Sequence, residues 1–264
     1  MTIIQALILG VIQGITEFVP VSSSGHLLLG HHFLGVNETG LAFDVALHIG
    51  TFAALIIFFY KDIIQLFLGL LGKNDMKRIA WLLIFATIPA VIGGFLLQDL
   101  AESSFRSPAL VAINFIWVAA LMLVAERYAK SKKHKTEFND VTNKQGMAIG
   151  FAQVLALIPG VSRSGSTITT GIFVGLDRVS ATRFSFLLSI PITFGAIIKV
   201  LASHEAISQI GSEKMIFLVG IISAFISGLL AIKYLLKYLS KHSLAVFAYY
   251  RIIVGLIVLL LLAR

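Results

Sequence analysis

Two short polar stretches carry most of the residues capable of chemistry. Residues 13–26, QGITEFVPVSSSGH, set a glutamate, three serines and a histidine into otherwise apolar sequence. An ionisable group at membrane depth is costly, about 2.5–3.5 kcal/mol for aspartate on insertion scales, so it reads first as functional. Residues 159–167, PGVSRSGST, interrupt a second apolar segment and carry Arg163. One stretch offers an acid, hydroxyls and an imidazole; the other offers a guanidinium and more hydroxyls. Brought together, they would make a phosphate site.

Each residue has its own reason to belong there. Gln13 and Glu17 stand at i and i+4, on one helical face. They could hold a divalent cation loosely, or Glu17 could serve as a base oriented by Gln13. A purely structural glutamate would need an arginine partner, and Arg163 is the nearest candidate. Ser22, Ser23 and Ser24 fall where a short helix begins, where backbone N–H groups bind anions. Capping alone needs one serine. His26 follows within a turn. Arg163 offers the planar fork that suits bidentate phosphate binding, with Ser162, Ser164, Ser166 and Thr167 around it. Gly160 and Gly165 permit close backbone approach. Asp44 and His48 form another i, i+4 pair and are expected to support the site or the fold. His31, His32 and Arg251 are assigned no chemistry.

These groups need elements to position them, and the composition says which kind. The chain has 264 residues, 58% hydrophobic and 13% charged, with a mean hydropathy of +0.94. Soluble chains run about 45–50% apolar and about 25% charged. Apolar runs able to cross a roughly 30 Å hydrocarbon core recur throughout, so the fold class is an all-α polytopic membrane protein. The absence of cysteine excludes disulfides and thiolate chemistry. The N-terminus has neither a basic n-region nor a cleavage site, so no removable signal peptide is expected. The net charge of +8 comes from loops between apolar spans, which argues for topology determinants and against nucleic acid.

Residues 3–19 and 22–35 are two short apolar helices around a Pro/Ser turn, expected to form a re-entrant hairpin buried in protein. Spans are expected at 42–60, 77–98 and 107–127. Residues 128–145 are the only long polar stretch. The pattern then returns, with short segments at 146–158 and 162–175 and spans at 179–201, 214–236 and 243–263. An offset of 140 pairs Gly10 with Gly150, Gln13 with Gln153, Val21 with Val161, Ser22 with Ser162, Ser24 with Ser164 and Gly25 with Gly165. The chain therefore reads as one integral domain made of a duplication: repeat 1–128, linker 129–145, repeat 146–264. A hairpin plus three crossings returns the second copy from the opposite face, an inverted-topology repeat that brings two broken segments together. With the midpoint inside, 15 of the basic residues fall in the inside segments 61–78, 127–145, 176–183 and 233–242. Arg106, Lys214 and Arg264 fall outside, as the positive-inside rule requires.

Both motifs, in this order in a duplicated membrane chain, resemble the undecaprenyl-diphosphate phosphatases of the bacitracin-resistance type. The family's Glu/Gln-x-x-x-Glu motif matches Gln13 and Glu17. Its serine-rich motif ending in Gly-His matches Ser22 to His26, and its Pro-Gly-x-Ser-Arg-Ser-x-x-Thr motif matches Pro159 to Thr167. The resemblance implies hydrolysis of a C55 polyprenyl diphosphate to its monophosphate in the bacterial inner membrane. Its further implications are a site open to the periplasm, inverted repeats with re-entrant helices, and use of Mg²⁺ or Ca²⁺. It leaves room for a homodimer. The catalytic group expected is Glu17, Ser23, His26 and Arg163. Phosphate contacts are expected from Ser22, Ser24, Gly25, Ser162, Ser164 and Thr167, and a metal would sit on Glu17 and Gln13. Position 13 is Gln, which weakens any two-carboxylate metal site. Ser23 is the expected nucleophile with Glu17 or His26 as base, and attack by water is the alternative. The competing class is a lipid-phosphate or anion transporter, since inverted repeats with broken helices also build transporters. The lysine-initiated Arg-Pro motif of the other lipid-phosphatase superfamily is absent.

Overall fold

The computed structural model describes residues 1–36, 41–103, 107–131 and 135–263. Four of the charges used to assign topology, Arg106, Lys132, Lys133 and Arg264, lie outside them. Among the described residues the chain is helical, with a single isolated bridge pairing Thr136 with Leu176.

The two halves follow one order. In the first, α1 (Ile3–Phe18) and α2 (Ser23–Leu34) flank the Pro20 turn, then come α3 (Leu41–Phe58), α4 (Tyr60–Leu70), α5 (Lys77–Ser103) and α6 (Pro108–Ser131). In the second, α7 (Asn143–Leu155) and α8 (Arg163–Phe173) flank the Pro159 turn. They are followed by α9 (Arg178–Leu201), α10 (His204–Ser212), α11 (Lys214–Leu239) and α12 (Ala245–Leu262). Five of these helices are long and apolar enough to cross a membrane. A sixth crossing is available if α3 and α4, bent by 75° at their junction, count as one. The apolar runs placed the helices correctly because lipid accepts only segments that satisfy their own backbone hydrogen bonds. What the runs hid was a short helix after the third element of each half, α4 and α10, both lying between the expected spans.

Local geometry repeats as well as order. Thr2 caps α1 and Thr142 caps α7, each in a capping box closed by a glutamine three residues on. The turns themselves share a strained backbone. Ser22 and Ser162 have φ of 77° and 75°, the positive-φ positions occupied by residues other than glycine among those described. Such conformations cost on the order of 1–3 kcal/mol and persist where surrounding structure enforces them. In both turns the strained serine accepts a hydrogen bond from the glycine N–H three residues on, Gly25 and Gly165.

Packing draws the short helices inward. Gly10 and Gly14 of α1 lie against Gly220, Ala224 and Ser227 of α11, so close that a Cβ on Gly14 would fall 2.5 Å from the Ala224 carbonyl oxygen. Small residues at such crossings let backbones approach where lipid gives no hydrophobic drive. Gly150 of α7 packs in the same way on Ala86 of α5.

At the end of the molecule that carries the polar midpoint, residues 136–141 of that segment are docked on the helices. Phe138 and Val141 are buried. Arg183 stacks on the Phe138 ring and pairs with Asp62. Arg178 forks onto Glu126, which also accepts from the backbone N–H of Leu244, tying α6, α9 and the start of α12 together.

Candidate active site

The first functional groups are set by the turns. Each strained serine is an N-cap, so Ser23 opens α2 and Arg163 opens α8. The 140-residue offset pairs these positions, one bearing a hydroxyl and the other a cation. The first N–H groups of a helix have no intrahelical partner, and the helix dipole there favours negative charge. The turns meet: the Ser164 hydroxyl donates to the Val19 carbonyl at 3.4 Å.

Between them lies a cleft of about 210 Å³ lined by Glu17, Ser22, Ser23, Ser24, His48, Ala156, Ser162 and Arg163. Glu17 is its hub. One carboxylate oxygen accepts from Arg163 Nη2 at 2.7 Å. The other accepts from the Ser23 hydroxyl at 2.7 Å and from the Gln13 amide N–H at 3.1 Å. The Ser23–Glu17 pair has the geometry of a nucleophile beside its base. Arg163 Nη1 is buried and has no hydrogen-bond partner, so half of the guanidinium fork is unused by protein.

Not every residue expected at the site reaches it. Glu17, Ser22, Ser23, Ser24, Ser162 and Arg163 line the cleft; Gly25, His26, Ser164 and Thr167 do not. Gly25 is packed so that a Cβ would meet the Phe115 ring at 2.6 Å, and its N–H serves the Ser22 cap. Thr167 is fully buried. Its hydroxyl is taken by the Arg163 carbonyl at 2.7 Å and Ser185 at 2.6 Å, the back-bonding common to threonine within helices. The His26 ring stacks between Phe115 and Tyr250. Its Nδ1 lies 2.8 Å from the Ser22 carbonyl, which can only accept, so Nδ1 carries the proton and Nε2 accepts from the Tyr250 hydroxyl at 2.8 Å. His26 therefore buttresses the strained turn.

Two residues exceed what the sequence suggested. Arg251 is fully buried. It donates to the carbonyls of Pro20 in the first turn, Gly160 and Val161 in the second, and Asn114 and Phe115 of α6. One guanidinium thus fixes both turns at once. His48 comes into the cleft from α3, with Nδ1 at 3.0 Å from the Gln13 amide nitrogen and 3.6 Å from Glu17. Asp44, expected beside it, pairs instead with His31 at 2.7 Å.

No cluster of three or more His, Cys, Asp or Glu capable of holding a metal occurs among the described residues. Gln13 turns its amide N–H toward Glu17, and its buried oxygen has no partner. The donor set thus suits a hard cation only as a guest of substrate phosphates, with Glu17 as the one carboxylate and Gln13 joining only if its amide turns over.

A relative from Gemmatimonas aurantiaca described as an undecaprenyl-diphosphatase is 43% identical over 270 residues, covering 100% of this chain and 99% of the relative. Another, from Moorella thermoacetica and described in the same words, is 41% identical across 98% of this chain and 97% of its own. The profile described as bacitracin resistance protein BacA matches residues 6–257, a stretch that takes in both serine turns, the carboxylate and arginine between them, and the Arg251 that holds them in place, and the chain belongs to that family.

Proposed function

We propose that this multi-pass membrane protein hydrolyses undecaprenyl diphosphate to undecaprenyl phosphate and inorganic phosphate, recycling a lipid carrier for cell-wall synthesis. The observation that carries the reading is the Ser23–Glu17–Arg163 chain, two 2.7 Å contacts through one carboxylate in a polar cleft. The names of the full-length relatives support the same substrate.

In the proposed reaction the terminal phosphoryl group enters between the helix starts. Glu17 takes the Ser23 hydroxyl proton as Oγ attacks phosphorus, and the bond to the bridging oxygen breaks, releasing the lipid monophosphate. The lipid monophosphate carries that proton away, so Glu17 is again a carboxylate when water attacks the phosphoserine. Glu17 takes a proton from the water and passes it to Ser23 Oγ as the bond from Oγ to phosphorus breaks and inorganic phosphate leaves. Little covalent chemistry is asked of the protein beyond this, so positioning and charge stabilisation dominate. Arg163 supplies the charge through the Nη1 that no protein group occupies. Ser22, Ser24 and Ser162 add donors at the cleft wall, while Gly25, Ser164 and Thr167 act by shaping the turns. A divalent ion, Mg²⁺ or Ca²⁺, would be held by Glu17 and would neutralise phosphate charge.

The arrangement proposed in the membrane is an inverted repeat, 1–128 against 146–264, in the bacterial inner membrane with the cleft opening outward. The matching turns and capping boxes of the two halves, and the basic midpoint, support it. A homodimer is compatible with this arrangement.

A transporter would have no use for a nucleophile beside a base. The test is phosphate release from undecaprenyl diphosphate by purified protein in detergent, where nothing can be transported. Release at enzymatic rates is expected; its absence refutes the phosphatase reading.

A further inference from the structure

The charges in the cleft leave a shortage of donors. Glu17 and Arg163 neutralise one another, yet the ligand is a diphosphate. Arg163 Nη1 can meet one phosphoryl oxygen, and further oxygens need other hydrogen-bond donors in the same space. Serine hydroxyls supply some, Ser22 among them because its cap uses the oxygen and not the proton, but the Ser23 proton is committed to Glu17.

His48 meets the need, and its protonation is determined by Gln13. The Gln13 amide group lies between Glu17 at 3.1 Å and His48 Nδ1 at 3.0 Å. A carboxylate oxygen accepts and repels another oxygen, so the amide must present nitrogen to Glu17. That same nitrogen faces His48, and an amide nitrogen only donates, so Nδ1 of His48 accepts. In the neutral ring the proton then sits on Nε2, across the ring from Gln13. Nε2 has no protein partner among the described residues, and the side chain, with 31% of its surface exposed, lines the cleft beside Ser23 and Arg163. A histidine present only for packing would have no reason to be held this way.

We propose that His48, held as the Nε2–H tautomer by Gln13, donates a hydrogen bond to the phosphoryl group bound in the cleft. The role presupposes the phosphatase chemistry above. It also gives Gln13 a function: one amide orients both the base and a phosphate donor. His48 is not the base, because the nitrogen turned away from Gln13 already carries the proton and Ser23 already donates to Glu17.

The test compares His48→Gln, His48→Asn and His48→Phe in purified protein. Glutamine is long enough to place an amide N–H near the position of Nε2; asparagine reaches only to Nδ1; phenylalanine keeps the shape and removes the donor. Three quantities are read: phosphate release from undecaprenyl diphosphate, the inhibition constant of inorganic diphosphate, and the thermal midpoint. His48→Phe is expected to lose roughly 10²-fold in kcat/KM, the lower end of the loss seen when one transition-state donor is removed. It should bind inorganic diphosphate at least about tenfold more weakly, as loss of a hydrogen bond to a charged group requires. His48→Asn should follow His48→Phe. His48→Gln should stay within about tenfold of the parent in both, with all thermal midpoints alike. His48→Phe turning over and binding inorganic diphosphate like the parent would overturn the role, and so would His48→Gln falling as far as His48→Phe. Should the parent release no phosphate, the phosphatase reading fails by itself, and the inorganic diphosphate affinities alone decide on His48.

Discussion

Arg163 is the residue whose conservative replacement is most informative. In the structure one arm of its fork holds Glu17 at 2.7 Å while the other, Nη1, is buried without a partner. Arg163→Lys keeps the charge but offers one ammonium where two directed donors stood. If lysine keeps Glu17 in place, the phosphoryl oxygens lose their charge-assisted donor. If it turns to phosphate, Glu17 and therefore Ser23 lose alignment. Either way one transition-state contact goes, a loss of roughly 10²–10³ in kcat, or about 2.7–4 kcal/mol. Stability should change much less, because the residue is partly exposed to the cleft and its pairing charge is retained. The assay is steady-state phosphate release in detergent, with the thermal midpoint measured on the same preparation. Turnover within about threefold of the parent would show that the arginine merely pairs with Glu17, and would remove the cation from the mechanism.

Two further substitutions separate other roles. Glu17→Gln removes the one carboxylate that lines the cleft among the described residues and should reduce phosphate release by about 10²–10⁴, the usual worth of a general base; activity near the parent's would transfer the proton to another group. Arg251→Met leaves the Gly160 carbonyl in the second turn, now bonded at 2.8 Å, without its buried donor. At roughly 1–3 kcal/mol per group the thermal midpoint should fall, and displacement of the turns should cost on the order of 10² in turnover; an unchanged midpoint would mean that the turns hold themselves.

Much of this architecture was legible because lipid restricts what a chain can do. Apolar runs gave helix bounds within a few residues: 3–19 corresponds to Ile3–Phe18, and 214–236 to Lys214–Leu239. The serine turns announced themselves by polarity, and the offset of 140 recurs as matched backbone at Ser22 and Ser162. What stayed hidden depended on partners without a sequence signature. Among the described residues Arg251 hydrogen-bonds to backbone carbonyls, which every residue possesses, so no spacing could point to it. His48 was grouped with Asp44 because i, i+4 spacing is visible along one helix, whereas its actual neighbour Gln13 lies on another. Thr167 matched a motif, yet its hydroxyl folds back onto its own helix, a choice made by local geometry. His26 shared a turn with the serines, but the aromatic walls of Phe115 and Tyr250 decide where its ring lies.

The central claim is that Ser23, activated by Glu17, attacks phosphorus. It is tested most directly by turnover of Ser23→Ala on undecaprenyl diphosphate, alongside a search for phosphoserine in the parent quenched during turnover. Loss of nucleophile chemistry should leave the variant more than about 10³-fold slower, while loss of a mere transition-state hydrogen bond would cost no more than about 10²–10³. The account predicts that larger loss together with phosphate trapped on Ser23. A Ser23→Ala enzyme retaining more than about a tenth of the parent activity, a barrier change below roughly 1.4 kcal/mol, would contradict it.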